Sequence, residues 1–234
     1  MIKYILSDSK FQPVLEEWKS FLDLNFTVES DIKILFDSEC PQITDSENRK
    51  LRIDFNNDTE NYNKFKSNIT SEPLSRALGS GKKGLKVLDL SAGMGIDSLF
   101  LVQLGYTVSG IERNALLYLA LMTALKNSPD QLDKKLTFKF SEANIFLKTS
   151  SEKFDVCYFD PMFPQKKKSA LPKQEMIMFK NLVGPDSDAT EVLQTAITTN
   201  QFNRIVVKRP IGAEPLLKPS GAIEGKIIRY DIYG

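Results

Sequence analysis

Histidine is missing altogether from this chain of 234 residues. Without it there is no Ser-His or Cys-His nucleophile pair, no histidine general base and no His-ligated metal, which removes many hydrolase chemistries at once. Cysteine is nearly as scarce. Cys40 precedes Pro41 in a loop and Cys157 sits in an apolar strand, so neither a disulfide framework nor a zinc site is indicated, and no metal is expected. Long apolar runs are also lacking. Stretches such as ALLYLALMTAL (Ala115–Leu125) fall well short of the roughly 20 residues that cross a bilayer, and Met1–Lys10 has no apolar centre of the signal-peptide kind. A cytoplasmic chain with no membrane partner is expected. Finally, there is no excess of charge of one sign: the net value is +1, so the total supports no polyelectrolyte argument for nucleic acid. Only local clusters can, at QKKKSALPK (Gln165–Lys173) and VVKRP (Val206–Pro210), and an isolated charge run is usually a solvated loop.

What is present reads as an ordinary globular protein, 41% hydrophobic and 26% charged, large enough for a sizeable core. Residues 1–78 are polar, with strand-like alternation at IKILFD (Ile32–Asp37) and LRIDF (Leu51–Phe55). Between Phe11 and Leu24, apolar residues recur at helical spacing, with Trp18 toward the core. SEPLSRALG predicts a short helix with Ser71 as N-cap, Pro73 in its first turn and Gly79 as its stop. The GSGKKG that follows is a hinge, placing the boundary between a small N-terminal α+β domain (1–78) and a second domain (79–234). There short apolar strands (LKVLDL, TVSGIE, LTFKF, FDVCYF, RIVVKR, IIRYDIY) alternate with helices after Asp97, Asn114 and Asn144 and over LPKQEMIMFKNL. That alternation predicts an α/β, doubly wound, mainly parallel sheet of Rossmann-like type.

The first of these strands runs into VLDLSAGMGIDSLFL, a strand, a small-residue turn and a helix. Ala92, Gly93 and Gly95 let the backbone approach a ligand, and the helix start at Ile96 and Asp97 offers unpaired N–H groups. As a dinucleotide fingerprint the turn is defective, since Ser98 stands where a third glycine belongs. Two acids redirect the reading. Glu112 ends the second strand, where an acid holds the ribose hydroxyls of an adenosine cofactor. Asp89, beside the glycines, would repel a pyrophosphate but suits the cationic tail of S-adenosylmethionine. Glu142, after the third strand, either accepts from the adenine amino group or is an exposed loop acid.

FDPMFP (Phe159–Pro164) closes another core strand with an acid, two prolines and a phenyl ring. Proline cannot continue a ladder, so the chain leaves the sheet here, over the strand carboxyl ends where α/β ligands bind. An aromatic amine is a poor nucleophile because its lone pair is delocalised. Asp160 and the carbonyl of Pro161 are acceptors that can orient such an amine, and Phe163 offers a face for a flipped base. The methylated product loses its proton readily, so no strong base is needed and the missing histidine is no obstacle.

Taken in order, VLDLSAGMGID, IERN, YFDPMFPQKKKSALPKQEM, LVGPDSDA, IVVKRP and RYDIY resemble the bacterial 16S ribosomal RNA guanine-N2 methyltransferase family over roughly residues 85–234. The resemblance implies a class I methyltransferase fold, S-adenosylmethionine as donor and a guanine 2-amino group of 16S rRNA or the small ribosomal subunit as acceptor. By the family's pattern, cofactor contacts fall at Ile96, Asp97, Glu112, Arg113, Glu142, Ala143 and Asp160. Lys166, Lys167, Lys168, Lys173, Lys208 and Arg209 are expected to meet RNA phosphate, with Arg209 also able to pair with an active-site acid. A monomer is expected. The family commonly has a basic, glycine-rich stretch before the first strand of this domain and Arg where this chain has Ile96; here both differ, and the second difference implies a backbone contact at Ile96. Methylation of another nucleobase amino group, an NAD-dependent oxidoreductase, disfavoured by Ser98 and Asp89, and a catalytically silent RNA-binding protein are the alternatives.

Overall fold

The computed structural model describes residues 1–27, 31–56, 72–79, 84–128, 132–162 and 174–234. The larger of two sheets contains β5 (Lys86–Asp89), β6 (Thr107–Glu112), β7 (Leu136–Phe140), β8 (Val156–Phe159), β9 (Arg204–Pro210), β10 (Gly221–Glu224) and β11 (Ile228–Tyr233), in the order β10-β11-β9-β8-β5-β6-β7. The five strands from β9 to β7 run parallel, and β11 is antiparallel to both β9 and β10. Strand order reverses between β5 and β8, so their carboxyl ends frame a crevice at the switch point.

Both faces of this sheet are covered, which explains why its strands read as nearly continuous apolar runs. Val87, Val108, Val156, Tyr158 and Val206 face one core, while Leu88, Ile111, Cys157, Phe159, Ile205 and Val207 face the other. The first four helices are α1 (Gln12–Asn25), α2 (Pro73–Ala77), α3 (Ile96–Gln103) and α4 (Ala115–Lys126). They are followed by α5 (Ala143–Thr149), α6 (Gln174–Val183) and α7 (Ala189–Thr198). Helix α2 stops at Gly79, whose φ of 94° only glycine adopts easily. Its expected N-cap, Ser71, and the GSGKKG hinge residues 80–83 lie outside the described residues.

The second sheet, β1 (Ile2–Leu6), β2 (Ile32–Phe36), β3 (Gln42–Thr44) and β4 (Lys50–Leu51), precedes α2 in the chain. Helix α1 crosses between the parallel pair β1 and β2. Its core is continuous with that of the larger sheet. Trp18 is fully buried, meets Phe36 edge-on and donates its indole N–H to the Thr123 hydroxyl of α4 at 3.0 Å. Phe55 reaches Phe138 of β7, with ring centroids 6.2 Å apart. Helix α4 is thus covered on both sides, by its own sheet and by the N-terminal module, which is why ALLYLALMTAL is apolar nearly all round. The LRIDF alternation is real in burial, with Leu51, Ile53 and Phe55 inside, but strand pairing stops at Leu51.

Strands β1, β3 and β10 and helix α7 are additional to the elements expected from the sequence. Strand β10 is a largely exposed edge strand without an apolar alternation to read.

Trp18 is the only tryptophan, so its fluorescence reports the N-terminal module. Because the core is shared, fluorescence and far-ultraviolet dichroism should follow one coincident denaturant transition. Trp18→Ala should lower stability by about 3 to 5 kcal/mol. An earlier, separate fluorescence transition would show that the module unfolds alone.

Candidate functional site

A cavity of about 380 Å³ opens at the switch point, within the range of small-molecule sites. Its floor is the turn after β5. Gly93 has φ of 57°, and a Cβ there would come to 3.0 Å from the Phe179 ring of α6. Gly95, φ 76°, is hemmed in by Leu121 and Phe55, at 2.8 and 2.9 Å from where its Cβ would lie. Gly93 therefore borders the cavity, whereas Gly95 is required by protein packing behind the turn and is not among the cavity's lining.

Two buried carboxylates hold this turn. Glu112, at the end of β6, accepts the Gly93 N–H at 2.8 Å and the Asn114 N–H at 2.7 Å. Asp89 accepts the Ser91 N–H at 3.0 Å and the Ser98 hydroxyl at 2.6 Å. Ser98 thus has a specific task where a dinucleotide site would carry glycine. Asp89 is buried beneath the turn and does not line the cavity, so its influence there is electrostatic only. Burial pushes both acids up to about 7, against the hydrogen bonds they accept.

The opposite wall is the exit of β8. The Asp160 N–H donates to the Ser91 hydroxyl at 2.8 Å, stitching the carboxyl ends of β5 and β8 together. Lys208 of β9 places its ammonium 2.7 Å from Asp97 and 2.8 Å from Asp160, and Asp97 also accepts the Tyr158 hydroxyl at 2.6 Å. Burial pushes Asp160 up to about 6, with Lys208 pulling the other way. Burial would lower Lys208, but the two carboxylates outweigh it and raise it.

This corrects the sequence-based placement of the VVKRP cations. Lys208 is engaged by two acids within the cavity wall and is not a phosphate-facing surface lysine. Arg209 points to the opposite side of the sheet, is buried, and donates to the Glu214 carbonyl; the pairing with Asp160 belongs to Lys208. Neighbouring residues on a strand face opposite ways, so the two could not share one groove.

Ala92, Ile96, Arg113, Ala143 and Pro161 line the cavity together with Gly93, Asp97, Glu112, Glu142, Asp160 and Lys208. Glu142 is half-exposed and sits 3.7 Å from Arg113. Two acids in LVGPDSDA have no role in the sequence reading. Asp186 accepts the Met162 N–H at 2.6 Å and pairs with Arg113, which also meets Asp188 at 3.3 Å. Asp186 thereby ties the chain after Pro161 to the end of β6. Met176 and Phe179 of α6 add an apolar wall. Their helical spacing is legible in the sequence, but not that they face a cavity instead of the core. Phe163, Lys166, Lys167, Lys168 and Lys173 lie outside the described residues.

The described lining is strongly acidic, with Asp97, Glu112, Glu142, Asp160, Asp186 and Asp188 against Arg113 and Lys208. On a near-neutral chain this balance favours a cationic ligand over a pyrophosphate. Each Glu112 oxygen that accepts a backbone N–H has capacity for a second donor, as a ribose diol requires. The residues present therefore fit S-adenosylmethionine. Among the described residues no group of His, Cys, Asp and Glu is arranged to hold a metal, and no helix is long and apolar enough to cross a membrane.

Residues 17–234 match the model of a family described as putative SAM-dependent methyltransferases. A ribosomal RNA small subunit methyltransferase J of Bdellovibrio bacteriovorus is 43% identical over 92% of this chain and 88% of its own length. One of the same name from Thioalkalivibrio sulfidiphilus is 37% identical over 78% of this chain and 75% of its own. In fold, the chain is similar to the crystal structure of a SAM-dependent methyltransferase from Neisseria gonorrhoeae, with a TM-score of 0.73 over 99% of this chain and 95% of that one, at 24% identity.

Asp89 and Glu112 keep a proton in the folded protein at pH values where the unfolded chain, with carboxyls near 3.8 and 4.5, has lost it. Their contribution to stability is therefore greatest at the acid end and declines as pH rises from about 4 to about 7. Asp89→Asn, which keeps the side-chain shape, should flatten this decline, gaining on wild type as pH rises from about 4 to about 7 and holding that gain above it in urea melts. An equally steep profile in the variant would rule out Asp89 as its source.

Proposed function

The chain belongs to the SAM-dependent methyltransferase family, and from that premise we propose that it methylates the exocyclic 2-amino group of a guanosine in 16S ribosomal RNA. The names of its relatives support the substrate. The observation that carries the chemistry is Asp160-Pro161 at the mouth of β8, lining the same cavity as Glu112.

In this reading Glu112 holds the ribose hydroxyls, Ala143 and Glu142 border the adenine, and the Ile96 and Asp97 end of α3 lies by the amino acid tail. S-adenosylmethionine, when bound, supplies an electrophilic methyl group on a sulfonium, so that an N–C bond forms as a C–S bond breaks. Asp160 and the Pro161 carbonyl accept the hydrogens of the guanine amine and turn its lone pair toward the methyl. No residue acts as a strong base, because the methylated aminium sheds its proton readily to water. Phe163 is assigned to stacking on the extruded base, and Lys166, Lys167, Lys168 and Lys173 to RNA phosphate, which would position the RNA without reading its sequence.

A ribosomal substrate supports a cytoplasmic location.

The substrate is tested by incubating the protein with unmodified small subunits and labelled donor, then mapping the rRNA by mass spectrometry. One N2-methylguanosine is expected; label on adenine or cytosine would select the other nucleobase reading, and none would reject the activity. The roles are tested by calorimetry with S-adenosylhomocysteine. Glu112→Ala should weaken binding by about 1.5 to 3 kcal/mol, through loss of charge-assisted hydrogen bonds. Asp160→Asn should leave binding much less affected and lower the single-turnover rate. Equal loss of affinity in both variants would break this division of labour.

A further inference from the structure

The proposed chemistry leaves unused the ion bridge in the inner wall of the cavity. Three elements converge there: β9 brings Lys208, the first turn of α3 brings Asp97, and β8 with its exit brings Tyr158 and Asp160. Strand β11 places Tyr230 directly opposite Lys208, and Asp89 below the turn and Asp186 beyond α6 add their fields to Asp160. Everything facing Asp160 in this set is an acid or a phenol, except Lys208.

We propose that Lys208 is a positioning residue for methyl transfer, holding the Asp160 carboxylate ionised and in place as the acceptor of an amine hydrogen. This rests on the role given to Asp160 above. A protonated Asp160 would present a hydrogen where the amine needs an acceptor. Two carboxylates that share a partially buried site do not both stay ionised without a counter-charge; one is driven up strongly. Lys208 supplies that counter-charge to both at hydrogen-bond distance and leaves Asp97, Asp160 and Lys208 with one net negative charge. A single negative charge is the complement of a sulfonium. Lys208 is also held rigidly. It follows Val206 on the α3 side of a central strand, and its ammonium spans two different elements. A lysine in that setting is fixed in place by the sheet, unlike one on a surface loop.

The test reads the charge of Asp160 directly, in protein without cofactor or RNA. Side-chain carboxyl ¹³C resonances are followed against pH, with the Asp160 signal identified by its loss in Asp160→Asn. In wild type it should titrate near pH 6. Lys208→Met should move it up by about 1 to 3 pH units, and Lys208→Arg should restore most of the shift. Should Lys208→Met fail to fold, Asp97→Asn gives the converse: Lys208 is left wholly to Asp160, whose titration should move down. The acid limb of the single-turnover rate should shift with the NMR titration in each variant. An Asp160 signal that does not move in Lys208→Met or in Asp97→Asn overturns the proposal, as does a loss of S-adenosylhomocysteine affinity without any change in that signal, which would assign Lys208 to the cofactor. A wild type that methylates no guanine overturns the substrate reading instead, and leaves the NMR result standing.

Discussion

The cavity depends on a turn whose shape is held from below and from the side by two buried acids. A backbone that reverses through two left-handed glycines has N–H groups with no helix or sheet to receive them. Asp89 and Glu112 take the Ser91 and Gly93 amides, and Glu112 takes that of Asn114 as well. Each acid thus ties the turn to a strand end. Burying two carboxyls within one small region is unfavourable, and their raised proton affinity records it. The strain is concentrated where a cationic ligand offsets it, so the same feature shapes the site and biases what it binds.

A second set of acids acts at longer range. Asp186 grips the Met162 amide with one oxygen and Arg113 with the other, so the residue following Glu112 and the chain following Pro161 share one anchor. Asn114 reinforces the tie by donating to the Leu182 carbonyl at 2.9 Å while its oxygen caps α4. The Glu112 side and the Asp160 side of the cavity are therefore mechanically connected through the loop after α6.

Much of this was legible in the residues. Six of the seven strands of the second half, the helix starts near Ile96, Ala115 and Ala143, and the convergence of Glu112 and Asp160 on one edge follow from periodicity and the switch-point rule. What escaped did so for physical reasons. Lys208 and Arg209 look like one basic patch in a linear sequence, yet the period of a strand sends them to opposite faces, and only the neighbours on each face decide what they meet. Asp186 and Asp188 look like turn residues, because the partner of each is far away in the chain. Ser98 looks like a missing glycine until Asp89 is seen beneath it. Helix α7 did carry a readable pattern, with Ala189, Val192, Leu193 and Ala196 buried on one face.

Helix α4 carries a consequence for how the chain is made. Synthesis delivers Trp18 and Phe55 well before Thr123 and Phe138, the residues they pack against. A half-finished chain therefore holds one wall of an apolar interface with nothing to cover it, and closing it means joining segments about a hundred residues apart, a contact of high order and hence slow to form. Once α4 emerges, it is apolar on two sides and sticky to any passing chain until both walls are in place. In the interval between the emergence of β6 and of β7, the N-terminal module, already synthesised, is the intramolecular cover available to helix α4.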